Sequence, residues 1–305
     1  MQQRFFSIIV VSLNPGERLK QTLDSIRSQT FTDYEVIIKD GCSTDGAIEK
    51  LRQDGYFTEW EGETDSNADV VEENSPSTMV RILVKKDSGI YDGMNQALEE
   101  IHGQYVQFLN CGDRFYNEQV LVQVHRFMEE HMKPQNDISS SDLATREIFS
   151  SLPYIFYGNQ YNLVQQCEVT SAPQMNDFAC FRNVPCHQVC FYDRELFSHR
   201  GYLPKYSVRA DYEHFLYSIY ECKAVAVAMP YIICFYEGGG YSETAENRKC
   251  SAAQHKEITA KYMGKKVYRY RLIMLLTLAP LRTKLAESKH FSAAYNLIKS
   301  FFYHG

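Results

Sequence analysis

Four short apolar runs, each closed by a polar turn, constrain the fold more than any other feature of this chain. Phe5-Phe6-Ser7-Ile8-Ile9-Val10-Val11 is β-branched and nearly continuous in apolar character, the pattern of a strand covered on both faces in a parallel sheet. Asn14-Pro15-Gly16 breaks the run. Leu19, Leu23 and Ile26 then recur at helical spacing, and Glu35-Val36-Ile37-Ile38 resumes a buried strand before the turn-rich Asp40-Gly41-Cys42-Ser43-Thr44-Asp45-Gly46. A third strand is expected at Arg81-Ile82-Leu83-Val84 and a helix through Ile90, Met94, Ala97, Leu98 and Ile101. A fourth strand covers residues 105–109 and ends at Asn110-Cys111-Gly112-Asp113. This alternation predicts an α/β fold built on a single large mixed sheet, mostly of parallel strands flanked by helices.

Ligands of such sheets bind beyond the carboxyl ends of the strands, where loops from neighbouring strands converge. Asn14, Asp40, Asp87 and Asp113 each follow an apolar strand pattern within a few residues. Asn and Asp are ordinary turn formers, so each alone implies only a turn; four in succession imply a shared polar site. No Gly-x-Gly-x-x-Gly follows the first strand, which disfavours a dinucleotide oxidoreductase.

At 305 residues, 44% hydrophobic and 23% charged, the chain can bury a core and is not a disordered polymer. Its net charge of −6 argues against a globally basic nucleic-acid binder. Residues 53–79 hold eight acids and no Lys or Arg and read as a surface-loop insertion. Residues 261–289 reverse the sign, with eight basic residues and Glu287 alone against them. Within that stretch, residues 272–281 are uncharged but too few to cross a bilayer. They would suit a helix lying on an anionic membrane surface or one packed back on the domain. The expected organisation is a catalytic-sized domain over residues 1–243 and a basic helical extension over 244–305. Nine cysteines without a Cys-x-x-Cys pair or signal sequence point to reduced thiols in the cytoplasm. Cys186 and Cys190 flank His187, but no second pair completes a zinc site.

Three linked phrases carry a family resemblance. Ser7-Ile8-Ile9-Val10-Val11-Ser12-Leu13-Asn14, Leu23-Asp24-Ser25-Ile26-Arg27-Ser28-Gln29-Thr30 and Tyr34 through Gly46 together resemble the N-terminal half of family-2 glycosyltransferases. Asp87-Ser88-Gly89-Ile90-Tyr91-Asp92-Gly93-Met94-Asn95 is similar to a phrase of a bacterial branch of the colanic-acid type, continued by Gln107 through Asp113, Cys186-His187-Gln188 and Arg209-Ala210-Asp211-Tyr212-Glu213. The resemblance runs from residue 5 to about residue 242.

It implies a GT-A fold and an inverting transferase that uses a nucleotide-diphosphate sugar, a UDP-sugar by preference, with Mg²⁺ or Mn²⁺. The acceptor would be a glycan or lipid-linked glycan in surface polysaccharide synthesis, met in the cytoplasm or at the inner face of the membrane. The alternative is a non-catalytic nucleotide-sugar-binding protein. On this resemblance Asp40 faces the base, with Asn14 and Asp87 also on the nucleotide side. Asp113 directly follows the degenerate Asn110-Cys111-Gly112 and would hold the metal. Asp211 matches the general base, with Glu213 in reserve. Asn110, His187, Gln188 and Glu213 would line the donor or acceptor pocket, although His187 equally fits a buried, hydrogen-bonded histidine. Asp92 and Asn95 are site residues or merely groups that open a helix. Gly238-Gly239-Gly240-Tyr241-Ser242 resembles the end of a mobile loop whose N–H groups meet phosphate.

Overall fold

The computed structural model describes residues 4–56, 69–74, 79–132, 152–238 and 244–277. Strand β1 (Phe6–Ser12) leads into α1 (Glu17–Arg27), β2 (Tyr34–Asp40) and α2 (Ala47–Gln53). Next come β3 (Asp69–Asn74), β4 (Met79–Val84), α3 (Ile90–Leu98), β5 (Tyr105–Phe108), β6 (Arg114–Phe115) and α4 (Val120–Met132). The second half holds β7 (Tyr154–Asn162), β8 (Cys167–Val169), α5 (Asp177–Arg182), β9 (Cys190–Asp193), α6 (Ala210–Tyr220) and β10 (Val225–Tyr236), then α7 (Ala245–Met263) and α8 (Lys266–Leu276).

These strands form one ten-stranded sheet of order β3-β4-β2-β1-β5-β9-β7-β10-β6, with β8 paired to β7. The first βαβ units behave as their sequence dictates. β4, β2, β1 and β5 lie parallel side by side, and every residue of β2 is buried. Leu19, Leu23 and Ile26 face the core from α1, and Tyr91, Met94 and Ala97 face it from α3. Parallel pairing does not extend through the whole sheet: β3/β4, β5/β9, β7/β9, β7/β8 and β6/β10 are antiparallel. Beyond residue 109 the strict βαβ alternation stops and antiparallel pairs predominate, although β7 and β10 still run parallel and so need a crossover connection.

The acidic stretch expected as a loop contains β3. The free edge of β4 recruits this segment as an antiparallel neighbour, a tertiary pairing that charge composition does not reveal. At the amino end of the strands a buried polar network replaces apolar packing. Glu35 accepts hydrogen bonds from Ser7 Oγ, Arg81 Nη2 (2.8 Å), the His102 N–H and the Gly103 N–H.

The chain divides into two compact units, Met1–Gln254 and His255–Gly305. The first half of α7 belongs to the larger unit for a local reason. Gln254 Oε1 accepts from the backbone N–H groups of Val208 and Arg209, and Ser251 Oγ accepts from Arg209 Nε (2.8 Å). These bonds brace the turn that precedes α6. No helix among the described residues is long and apolar enough to cross a membrane. Of the uncharged stretch 272–281, residues up to Leu276 extend α8, and residues from 278 onward lie outside the described residues, as does most of the glycine run.

Candidate active site

The carboxyl ends of β4, β2, β1 and β5 are adjacent, so their four loops meet along one edge of the sheet. The loops after β1 and β2 are laced together. The Asn14 N–H donates to Ser43 Oγ (2.7 Å), Asn14 Oδ1 accepts the Thr44 N–H (2.9 Å), and the Gly16 N–H donates to Asp45 Oδ2 (2.7 Å). Asn14 sits at φ 47°, a left-handed conformation that Asn tolerates better than most residues.

Asp40 closes β2 and is buried. Its Oδ1 accepts from Ser12 Oγ and Ser43 Oγ, and its Oδ2 accepts the Ser43 N–H. A carboxylate has about four acceptor positions, so these bonds leave one on Oδ2 unused, on a residue only 1% exposed. Asp87 is turned inward instead. Its Oδ2 pairs with the fully buried Lys39 (2.8 Å), whose ammonium also donates to the carbonyls of Asp40 and Lys85. A Cβ on Gly41 would lie 3.0 Å from Asp87 Oδ2, so the glycine lets the loops of β2 and β4 close on each other.

The loop after β5 is held from three directions. Thr22 Oγ1 accepts the Gly112 N–H and donates to the Asp113 carbonyl. Asp113 Oδ1 accepts the Glu237 N–H (2.9 Å) and Oδ2 accepts from Gln188 Nε2 (3.0 Å). Burial, only partly offset by those donors, pushes the Asp113 carboxyl up to about 6. Gly112, at φ 101°, lies beneath the Glu237 carboxylate, where a Cβ would come within 2.2 Å of Oε2.

His187 and Asp211 meet beside this loop. The Asn110 amide nitrogen lies 2.8 Å from His187 Nε2, and His187 Nδ1 lies 3.2 Å from Asp211 Oδ2. With the amide donating, Nε2 accepts and Nδ1 carries the proton toward Asp211. Asp211 Oδ1 accepts from the Tyr91 hydroxyl (2.9 Å) and the Tyr212 N–H (2.8 Å). Burial pushes the Asp211 carboxyl up, but His187, Tyr91 and the Tyr212 N–H together hold it below the ordinary carboxylate range. The side chain is still 23% exposed, so a solute can reach it. Its place in the first turn of α6 adds the favourable end of the helix dipole.

Asn110, Asp113, His187, Gln188 and Asp211 thus form one connected cluster, with Asp40, Asp87 and Asn14 on the neighbouring loops. Glu213 does not join them: it is fully buried, and both its oxygens bind Arg200 (3.1 and 3.0 Å). It is a structural ion pair and not a pocket residue. Asp92 accepts from the N–H and Oγ of Ser88 and so caps α3. Asn95 exchanges two hydrogen bonds with the Tyr202 backbone (2.9 and 2.7 Å). Lys39, Tyr91 and Glu237 escaped sequence reasoning. The first lies in a strand that reads as buried, the second inside the Gly-Ile-Tyr-Asp phrase, and the third more than a hundred residues from the loop it covers.

A divalent cation suits the oxygens gathered here. Asn110 Oδ1 and Gln188 Oε1 are buried acceptors without a hydrogen-bond partner, close to the buried Asp113 carboxylate. No group of three or more His, Cys, Asp or Glu side chains is poised for a metal among the described residues. A hard cation such as Mg²⁺ needs only one or two carboxylates when substrate phosphates and water complete its shell.

The family described as Glycosyl transferase family 2 matches residues 7–55, the β1-α1-β2 segment and its laced loops. A PGL/p-HBAD biosynthesis glycosyltransferase of Mycobacterium tuberculosis is 27% identical over 253 residues, 82% of this chain and 83% of that protein. The Escherichia coli UDP-Glc:alpha-D-GlcNAc-diphosphoundecaprenol beta-1,3-glucosyltransferase WfaP is 25% identical over 181 residues, 58% of this chain and 62% of that protein. Among solved structures, the mannosyltransferase PcManGT of Pyrobaculum calidifontis, in complex with GDP-Man and Mn²⁺, superposes with a TM-score of 0.56 at 13% identity. That superposition covers 97% of this chain and 84% of the other. The fold, the phrases that build the sheet edge and these relatives agree: the chain has the GT-A fold and is similar to glycosyltransferases, with its β1-α1-β2 segment matching family 2.

Proposed function

We propose that the chain transfers a sugar, with inversion, from a UDP-sugar to a hydroxyl of a glycan or lipid-linked glycan, with Asp211 as general base. The observation that carries this reading is the environment of Asp211. It is a reachable carboxylate, held ionised by three donors, at the carboxyl edge of a nucleotide-binding type of sheet. An inverting transfer is one in-line displacement. The acceptor oxygen bonds to the anomeric carbon, its proton passes to Asp211, and the bond to the diphosphate breaks with its electron pair on the leaving oxygen.

His187 and Tyr91 orient the carboxylate, and Asn110 fixes the imidazole tautomer. Asp40 offers its remaining lone pair to the imide N–H of a uracil, while Asn14 shapes the loop around it. Asp87, neutralised by Lys39, supports that wall from behind. Asp113, with Glu237 and the amide oxygens of Asn110 and Gln188, would hold Mg²⁺ or Mn²⁺. When bound, the ion neutralises charge on the departing diphosphate. A lipid-linked acceptor is supported by the similarity to WfaP, which is named for transfer to alpha-D-GlcNAc-diphosphoundecaprenol. A panel of UDP- and GDP-sugars, scored for nucleotide release with Mn²⁺ and with chelator, tests the reading. Release from a UDP-sugar that Asp211→Asn abolishes supports it; absence of release from every donor, with and without a lipid-linked acceptor, refutes it.

A further inference from the structure

Helix α8 of the smaller unit has two apolar faces. Val267 and Tyr270 are buried and Ile273 and Met274 are half-buried, which places one apolar stripe on the covered side. Tyr268, Leu272, Leu275 and Leu276 recur at i, i+4, i+7 and i+8 and therefore share the other side, where they are 74%, 55%, 67% and 72% exposed. A helix at a water-facing surface ordinarily puts charged groups opposite its buried stripe. Here an apolar row stands in that place. At about 100° per residue, Arg269 borders the row on one edge and Arg271 on the other, while Lys265, the residue just before the helix, lies in line with the row; all three are exposed.

Charge selects the occupant. From Ile258 to Thr277 there is no acidic residue, while Lys261, Lys265, Lys266, Arg269 and Arg271 are basic. A second copy of α8 would bring like charges together. Residues 278–305 carry Arg282, Lys284, Lys289 and Lys299 against Glu287 alone, so they do not complement the face either. An apolar row with cationic borders fits anionic headgroups above acyl chains. Eleven residues span only about 16 Å against a hydrocarbon core of about 30 Å, so the helix lies along the surface and does not cross it.

We propose that α8 docks the protein on an anionic lipid surface, with Tyr268, Leu272, Leu275 and Leu276 entering the boundary between headgroups and acyl chains and Lys265, Arg269 and Arg271 meeting lipid phosphates. The inference is independent of the donor, the acceptor and the catalytic base.

Cosedimentation of the full chain with phosphatidylcholine vesicles, alone or with about one-third phosphatidylglycerol, tests it. The protein should pellet with the anionic vesicles only, and high salt should release it. Leu272→Ser/Leu275→Ser should abolish the interaction. Arg269→Ser/Arg271→Ser should weaken it roughly 30-fold, about fivefold for each basic side chain at the surface. Because all four positions are exposed, both variants should keep the wild-type thermal midpoint. Should either unfold, the wild type's dependence on anionic lipid and salt decides the matter alone. Failure of the wild type to bind, binding by folded variants equal to the wild type, or a vesicle-free dimer that the leucine variant dissolves would each overturn the proposal.

Discussion

His187 Nδ1 stands 3.2 Å from Asp211 Oδ2, and the same imidazole is held from its other side by Asn110. The pair joins the end of β5 to the start of α6 through a turn in Cys186-His187-Gln188. A general base needs an ionised carboxylate with a fixed direction. His187 supplies one donor and Tyr91 another.

Asp211→Asn should lower turnover by roughly 10²–10⁴ while leaving donor affinity nearly unchanged. The amide keeps the shape but cannot take a proton. Equal turnover of variant and wild type, measured by nucleotide release, would remove Asp211 from the mechanism.

Tyr91→Phe and His187→Phe each take away a donor that holds the Asp211 carboxyl low. Its pKa should therefore rise, and the acid limb of the pH–rate profile should move to higher pH in both variants, with kcat reduced more than KM is raised. An unshifted limb would mean that these residues merely pack.

Asp40→Ala should weaken UDP binding by about 1.5–3 kcal/mol, the value of a hydrogen bond to a charged group. Ser12→Ala serves as the control, since it removes one internal donor to Asp40 Oδ1 but leaves Oδ2 untouched. Calorimetry that finds the two variants alike would assign Asp40 to loop closure alone.

Asp113 carries a pH signature of opposite sign to that of Asp211. Its folded-state value of about 6 exceeds the ordinary value, so the folded protein holds this proton more tightly than the unfolded chain. The contribution is fully present below the unfolded value of about 4 and is lost as pH rises toward about 6. A bound cation would relieve the buried charge. Mn²⁺ should therefore raise the thermal midpoint more at pH 7 than at pH 5, and Asp113→Ala should remove that difference. A metal response independent of both pH and Asp113 would place the ion elsewhere.

The first half of the fold was open to sequence reading because its signals are local. Apolar runs such as Ile8-Ile9-Val10 and Val36-Ile37-Ile38 must be buried strands, and the polar residues that follow them must stand at their carboxyl ends. Pairings made at long range were not legible. Nothing near Glu237 signals that its carboxylate covers Gly112, and nothing near Glu213 signals that Arg200 will claim it. Asp87 follows an apolar strand in the sequence, but its partner Lys39 lies in a neighbouring strand where a charged side chain reads as an interruption. Tyr91 lies within the Gly-Ile-Tyr-Asp phrase, yet only the approach of α6 to α3 gives its hydroxyl the Asp211 partner.

The Glu35–Arg81 pair at the opposite edge of the sheet supplies a test of the scaffold that leaves the chemistry aside. Both side chains are buried, and Glu35 also accepts from Ser7, His102 and Gly103. Removing Glu35 leaves the buried Arg81 with only the longer contact to the part-exposed Glu100 carboxylate (3.5 Å), so Glu35→Ala should destabilise the protein by up to about 3–5 kcal/mol. Replacing both, as Glu35→Leu/Arg81→Met, should cost less than the sum of the single changes, because neither charge is then stranded. Ser7 Oγ and the two N–H groups would still lack their acceptor, so the double variant should not reach wild-type stability. Denaturant unfolding of the single and double variants measures the coupling. Strictly additive losses would show that the network stabilises through packing and not through its charges.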